Sequence, residues 1–152
     1  MIKKGIILAG GFGKRMSPLT KAVNKQLLPV YDKPLIFYPL SILMLAGIRD
    51  ILIIVNKGMV AQFEKILPKK NNFGVKITYA EQIYPKGLPD AFKIGEKFIG
   101  KSNISLILGD NFFYGQALTP ILKKCIKLKN GATVFLHKVR NPSAYAVAKV
   151  NK

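Results

Sequence analysis

A group of glycines followed by two cations stands near the start of the chain. Three glycines lie within residues 10–13, directly after the apolar run Ile2 to Ala9, and Lys14 and Arg15 follow them. Glycine lets backbone N–H groups turn toward an anion, because no Cβ blocks the anion's approach. The guanidinium of Arg15 adds a planar fork that suits phosphate oxygens. The pattern predicts a polyphosphate-binding loop, and its alternative is a tight strand-to-helix turn with incidental basic residues.

Two common phosphate-binding loops do not match this segment. A Walker loop needs a glycine five positions before Gly13 and a serine or threonine after the lysine, but Leu8 and Arg15 stand there. A dinucleotide-binding fingerprint needs a glycine or alanine at Met16 and an acidic residue near the end of the second strand. That strand ends instead in Val55-Asn56-Lys57. The loop therefore matches neither of these phosphate-binding classes, and the tight strand-to-helix turn stays open as its alternative.

The elements that position this loop alternate between strands and helices. The apolar runs that predict strands are Ile2 to Ala9, Ile51 to Val55, Val75 to Ala80, Ser105 to Leu108 and Ala132 to Val139. The stretches that predict helices are Leu35 to Ala46, Met59 to Leu67, Leu88 to Phe98 and Leu118 to Leu128. This alternation indicates an α/β fold, a three-layer Rossmann-like domain whose mostly parallel sheet carries helices on both faces. We expect one domain over residues 1–152.

Ligands of such sheets bind beyond the carboxyl ends of the strands. The glycine loop follows the first predicted strand, and Gly109-Asp110-Asn111 follows the fourth. Both segments should therefore face the same crevice. Tyr145 to Lys152 has the pattern of the beginning of a further strand.

The formal charge of +18 invites a nucleic-acid interpretation, which the distribution of the charge does not favour. All but three of the 25 basic residues are lysines, and they are scattered through every segment. Dispersed lysines are usually solvated, and no nucleic-acid-binding motif accompanies them. We expect no specific nucleic-acid partner, only loose, salt-sensitive binding of polyanions. The apolar start is too short for a signal peptide and no segment has membrane-spanning length, so the sequence favours a cytoplasmic protein without a membrane partner.

A second motif, taken with the loop, resembles a known family. The segment Lys25-Gln-Leu-Leu-Pro-Val-Tyr-Asp-Lys-Pro34, taken with the pattern Leu-Ala-Gly-Gly-x-Gly-x-Arg-x-x-Pro-Leu-Thr that ends at Thr20, resembles the sugar-1-phosphate nucleotidyltransferases, and most closely those that transfer thymidylyl groups. Further blocks resemble the same family, at Leu45 to Arg49, Gln82 to Leu88 and Leu108 to Gly115. The resemblance implies attack by a sugar-1-phosphate oxygen on the α-phosphorus of a nucleoside triphosphate, with dTTP and glucose 1-phosphate as substrates and pyrophosphate as leaving group.

The resemblance also implies roles for individual residues. The implied nucleotide-binding residues are Leu8, Gly10, Gly11, Gly13, Arg15, Lys25, Gln26, Gln82, Gly87 and Asp110. The implied sugar-binding residues are Leu108, Asn111, Tyr145 and Ala146, where Ala146 replaces a glycine of the family pattern. Arg15 and Lys25 are the implied catalytic residues, because they would neutralise charge on the phosphates.

Asp110 is the implied ligand of Mg²⁺, a cation that prefers oxygen donors. Each role has an alternative from the residues alone: Lys25 as a surface lysine, Asp110 as a turn cap beside Asn111, and Gln82 as a loop amide. The resemblance further implies that the chain is the nucleotide-binding half of a longer enzyme, without most of the sugar pocket, and that the full-length form is a homo-oligomer. A non-catalytic nucleotide-binding module or partner subunit, and a uridylyltransferase that uses UTP, are the alternative functions.

Overall fold

The central sheet is parallel and carries helices on both faces. The computed structural model describes residues 1–149. The strands of the sheet are β1 (Lys4–Ala9), β4 (Asp50–Asn56), β5 (Lys76–Gln82) and β6 (Ile104–Leu108), and a separate hairpin pairs β2 (Pro29–Val30) with β3 (Lys33–Pro34). The helices are α1 (Phe37–Leu45), α2 (Val60–Ile66), α3 (Leu88–Ile94), α4 (Glu96–Ile99) and α5 (Leu118–Cys125). The order of the strands across the sheet is β5-β4-β1-β6.

Apolar residues on both faces of the central strands explain why the sheet is covered twice. In β1, Ile7 points into a core formed with α1, α2 and α5, whereas its neighbour Ile6 points into a core formed with α3 and α4. In β4, Ile53 and Leu52 divide in the same way. Alternation of side chains along a strand requires two apolar layers when every residue is apolar. The predicted three-layer α/β fold is confirmed.

One predicted helix is divided in two. The sequence predicts a helix from Leu88 to Phe98, but the structure has α3 and α4 on either side of Gly95. A Cβ at Gly95 would lie 3.0 Å from both Ile6 Cδ1 and the Ala91 carbonyl oxygen. The glycine therefore permits close contact between this helical segment and the sheet, and it also interrupts the helix.

The predicted strand from Ala132 to Val139 is wrong. Residues 132–139 pair with no strand within residues 1–149, and the side chains of Val134 and Leu136 are exposed. A cavity of about 600 Å³, lined in part by Ile104–Leu108 and Gly131–Phe135, separates this segment from the edge of β6. A strand requires a hydrogen-bonding neighbour, and apolar composition alone does not supply one. Residues 145–149 likewise form no strand, and residues 150–152 lie outside the described residues.

Candidate active site

A cavity of about 300 Å³ lies at the carboxyl ends of β1 and β6. Its lining residues are Leu8, Gly10, Gly11, Gly13, Lys14, Arg15, Met16, Lys25, Gln26, Leu108 and Asp110. The structure therefore brings together most of the residues that the sequence predicted for nucleotide binding, and it places them where parallel sheets bind ligands. Cations outnumber carboxylates in this lining, which favours an anionic ligand.

The glycine loop has a backbone that other residues would not adopt easily. Gly11 and Gly13 have φ angles of 106° and 57°, in the left-handed region that favours glycine. Gly10 has no room for a side chain, because the amide of Gln82 packs directly against its Cα. The hydroxyl of Thr20 donates a hydrogen bond of 2.9 Å to the Gly13 carbonyl and holds the end of the loop.

Backbone donors of this loop remain available to a ligand. The N–H groups of Gly13, Lys14 and Arg15 make no hydrogen bond within the described residues 1–149. The N–H of Gly11, in contrast, donates to Asn56 Oδ1 at 3.1 Å. The available donors thus belong to Gly13 and to the 3₁₀ turn Lys14–Met16 that follows it. Donors beside two basic side chains suit phosphate oxygens.

Lys25 and Asp110 form an ion pair across the cavity. Lys25 Nζ lies 2.7 Å from Asp110 Oδ2, and the two side chains are 27% and 35% exposed. Lys25 begins the 3₁₀ turn Lys25–Leu27, whose start is capped by the Asn24 side chain, and Asp110 follows β6. The two residues are 85 positions apart in the sequence, so the pair connects the 3₁₀ turn Lys25–Leu27 to the carboxyl end of β6. Both groups are reachable from the cavity.

Gln26 is the buried polar residue of this lining. Its side chain is 4% exposed, and its Nε2 donates to the Gly10 carbonyl at 3.5 Å. Its Oε1 is buried and accepts no hydrogen bond from the described part of the chain. Gly109 leaves space for this side chain, since a Cβ there would lie 2.9 Å from Gln26 Cγ. Gln26 therefore ties the glycine loop to the end of β6 and has acceptor capacity that is unused.

Two predicted nucleotide-binding residues lie beside the cavity and do not line it. Gln82 ends β5, is 3% exposed, and donates from Nε2 to Asn56 Oδ1 at 3.0 Å. Gly87 precedes α3 with a φ angle of 91°. Both stand on the β4–β5 side of the glycine loop, across it from Asp110.

The structure brings together two of the four predicted sugar-binding residues. Leu108 lines both cavities, and it shares the larger one, beside β6, with Asn111, whose N–H donates to the Leu108 carbonyl at 3.1 Å. Tyr145 and Ala146 are exposed and line neither cavity. Within residues 1–149, the cavity at the glycine loop thus gathers most of the residues predicted for nucleotide binding, whereas the four residues predicted for sugar binding do not share one cavity.

Sequence reasoning missed Asn56 as a site residue. It ends β4, and its amide hydrogen-bonds to both the N–H and the carbonyl of Gly11. The available signal was a polar residue that directly follows a run of apolar residues at the carboxyl end of a strand.

The described part of the chain has neither a metal-binding cluster nor a membrane span. Residues 1–149 contain no group of three or more His, Cys, Asp or Glu side chains able to hold a metal ion. No helix in the described residues is long and apolar enough to span a membrane.

The chain belongs to the nucleotidyl transferase family, whose model matches residues 4–152. Among curated relatives, it is 55% identical to the glucose-1-phosphate thymidylyltransferase of Neisseria meningitidis over 98% of this chain and 52% of that protein. It is 52% identical to the enzyme of the same name from Xanthomonas campestris, over 99% of this chain and 51% of that protein. The chain spans about half the length of the curated relatives it matches.

Solved structures show the same relationship. One is the crystal structure, determined with sucrose, of a Bacillus anthracis protein described as a glucose-1-phosphate thymidylyltransferase. The match covers 84% of this chain and 52% of the Bacillus anthracis chain, with a TM-score of 0.77 and 38% identity. A UDP-glucose pyrophosphorylase determined with UDP-glucose matches 84% of this chain and 53% of its own with a TM-score of 0.69 and 30% identity. These similarities confirm the nucleotidyltransferase fold.

Proposed function

We propose that this chain carries the nucleotide site of a glucose-1-phosphate thymidylyltransferase. In the reaction, a phosphate oxygen of glucose 1-phosphate attacks the α-phosphorus of dTTP, the bond to the β-phosphate oxygen breaks, and pyrophosphate leaves with dTDP-glucose as product. The observation that carries the proposal is the cavity in which a glycine loop with available N–H groups, Arg15 and the Lys25–Asp110 pair converge. The identity of about 50% to relatives of that name supports the choice of nucleotide and sugar.

The roles follow from position and charge. The N–H groups of Gly13, Lys14 and Arg15, with the Arg15 guanidinium, would hold the phosphates that leave as pyrophosphate. Lys25 would turn from Asp110 to the reacting phosphate, since a triphosphate offers it more negative charge than one carboxylate. Such a site acts mainly by positioning and charge neutralisation.

The donor set at Asp110 suits a magnesium ion, which is the cofactor we propose. Mg²⁺ is held in phosphate sites by one or two carboxylates together with substrate oxygens, so it needs no cluster of acidic side chains. Asp110 offers one accessible carboxylate in the cavity lining. When bound, the ion would supply charge neutralisation of the phosphates.

The test is calorimetric titration of the folded chain with dTTP and Mg²⁺, alongside Arg15→Ala and Lys25→Ala. We expect binding by the parent chain and weakened binding by both variants. A folded parent chain that binds no dTTP, or variants that bind with undiminished affinity, contradict the proposal. Titration with UTP is the competing arm, because the structure that contains UDP-glucose makes a uridylyltransferase the second candidate. UTP binding that is tighter than dTTP binding would favour that candidate.

A non-catalytic nucleotide-binding module remains the alternative within the same site. The exposed positions of Tyr145 and Ala146, which line neither cavity, support binding without efficient turnover by the 152-residue chain. We expect pyrophosphate release from dTTP and glucose 1-phosphate to be slow with this chain alone. Full turnover by these residues would exclude the non-catalytic alternative.

A further inference from the structure

The side chain of Asn56 joins the glycine loop to the neighbouring strand end. Its Oδ1 accepts from the N–H of Gly11 at 3.1 Å, and its Nδ2 donates to the carbonyl of Gly11 at 3.0 Å. The same Oδ1 accepts from Gln82 Nε2 at 3.0 Å. The side-chain amide of Asn56, the last residue of β4, therefore pairs with Gly11 as a neighbouring peptide group would.

We propose that Asn56 is a positioning residue that fixes both the conformation of the glycine loop and the orientation of the Gln82 side-chain amide. This inference rests on the proposed function, since it takes Gln82 as a contact of the nucleobase. Asn56 itself does not line the cavity and acts through these two neighbours.

The hydrogen bonds determine the orientation of both amides. The N–H of Gly11 is only a donor, so the Asn56 atom that faces it must be the oxygen. That oxygen in turn requires the NH₂ group of Gln82, because an oxygen of Gln82 in the same place would face another oxygen. Reversal of either amide leaves a part-buried polar contact unsatisfied, which is costly. Gln82 is thereby left with Oε1 as the atom that is free to meet a ligand.

A fixed carbonyl oxygen selects bases by their hydrogen-bond pattern. Thymine and uracil carry an N–H donor at N3, whereas cytosine carries an acceptor at the same position. A donor meets the Gln82 oxygen favourably, and an acceptor does not. No donor from the described residues 1–149 occupies that oxygen. Asn56 therefore contributes to the preference for a thymine-type or uracil-type edge, although it touches no substrate.

The experiment compares dTTP and dCTP binding, with Mg²⁺, by the 152-residue chain and two variants. Asn56→Leu keeps the branched shape and removes all three hydrogen bonds. We expect dTTP affinity to fall about tenfold and the dTTP-to-dCTP affinity ratio to approach one, because Gln82 is then free to reverse. Asn56→Asp keeps the oxygen that faces Gly11 and Gln82 but loses the donor to the Gly11 carbonyl. We expect Asn56→Asp to bind dTTP more weakly than the parent chain and to retain the parent's dTTP-to-dCTP affinity ratio.

Asn72→Leu, at an exposed asparagine, is the matched control and should change neither quantity. A folded Asn56→Leu chain with the parent's ratio overturns the inference and leaves the proposed function intact. If Asn56→Leu does not fold, Asn56→Asp decides: undiminished dTTP affinity, or loss of the ratio, overturns the inference. A parent chain that binds no dTTP overturns the proposed function and this inference together.

Discussion

Replacement of Lys25 by methionine should separate the binding role of this lysine from its structural one. Methionine keeps most of the length of the side chain and removes the charge. In the structure, Lys25 Nζ pairs with Asp110 Oδ2 at 2.7 Å, and both side chains are about one-third exposed or less, at 27% and 35%. Because water screens such a pair, its contribution to the free energy of unfolding is about 0–1 kcal/mol.

The cost to binding should be larger. If Lys25 transfers its hydrogen bond to a phosphate oxygen, its removal costs about 1.5–3 kcal/mol, the usual contribution of a charged hydrogen bond. That corresponds to a loss of dTTP affinity of about 10- to 150-fold. The midpoint of thermal unfolding should fall by no more than about 4 °C in a chain of this size.

The assay pairs calorimetric titration with thermal unfolding followed by circular dichroism. Lys33→Met is the matched control, because Lys33 pairs with Asp32 at 2.8 Å in the β2–β3 hairpin, away from the cavity. We expect the control to retain dTTP affinity. Undiminished affinity in folded Lys25→Met, or an equal loss in Lys33→Met, would refute the assignment, since the second result would indicate only a general effect of net charge.

Two further predictions concern the loop and the core. Gly10→Ala should lower the free energy of unfolding by about 1–3 kcal/mol and weaken dTTP binding, because the new Cβ overlaps the amide of Gln82. Gly115→Ala is the control, since a Cβ at Gly115 would lie in open space. Equal midpoints of thermal unfolding for the two variants would contradict the packing argument. Burial, followed by the negative charge of a nearby glutamate, raises the pKa of Tyr79 far above its usual value, and its hydroxyl donates to the Leu67 carbonyl at 2.6 Å. Tyr79→Phe should therefore cost about 1 kcal/mol below pH 9. Above about pH 10 the tyrosine of the unfolded chain ionises while that of the folded chain does not. The difference in free energy of unfolding between the parent chain and Tyr79→Phe should therefore narrow as pH rises. Denaturant unfolding of both chains at pH 8 and 10.5 measures this difference, and a larger difference at pH 10.5 would contradict the argument.

The sheet and most of the candidate site could be predicted from the sequence because both depend on local patterns. Continuous apolar runs mark β1 and β4 as strands buried on both faces, and the rule that ligands bind at carboxyl strand ends joins Gly13 to Asp110 before any coordinates are known. Contacts between side chains that are distant in sequence could not be predicted from such patterns. Nothing local indicates that Asn56 holds Gly11, since that contact joins residues 45 positions apart.

The segment 132–139 shows the opposite limit. Its composition favours a strand, yet the structure leaves it unpaired across a cavity from β6. Strand formation depends on a partner, and partners are a property of the whole fold. The exposed positions of Tyr145 and Ala146, two of the predicted sugar-binding residues, follow from the same fact, because both come after this unpaired segment.

The central claim is that the glycine loop, Arg15 and Lys25 hold the phosphates of a nucleoside triphosphate. A crystal structure of the chain with dTTP and Mg²⁺ tests it most directly. We predict phosphate oxygens within about 2.7–3.2 Å of the N–H groups of Gly13 to Arg15 and of Lys25 Nζ, with Lys25 turned away from Asp110. A triphosphate bound elsewhere, with the 2.7 Å contact between Lys25 and Asp110 unchanged, would contradict the claim.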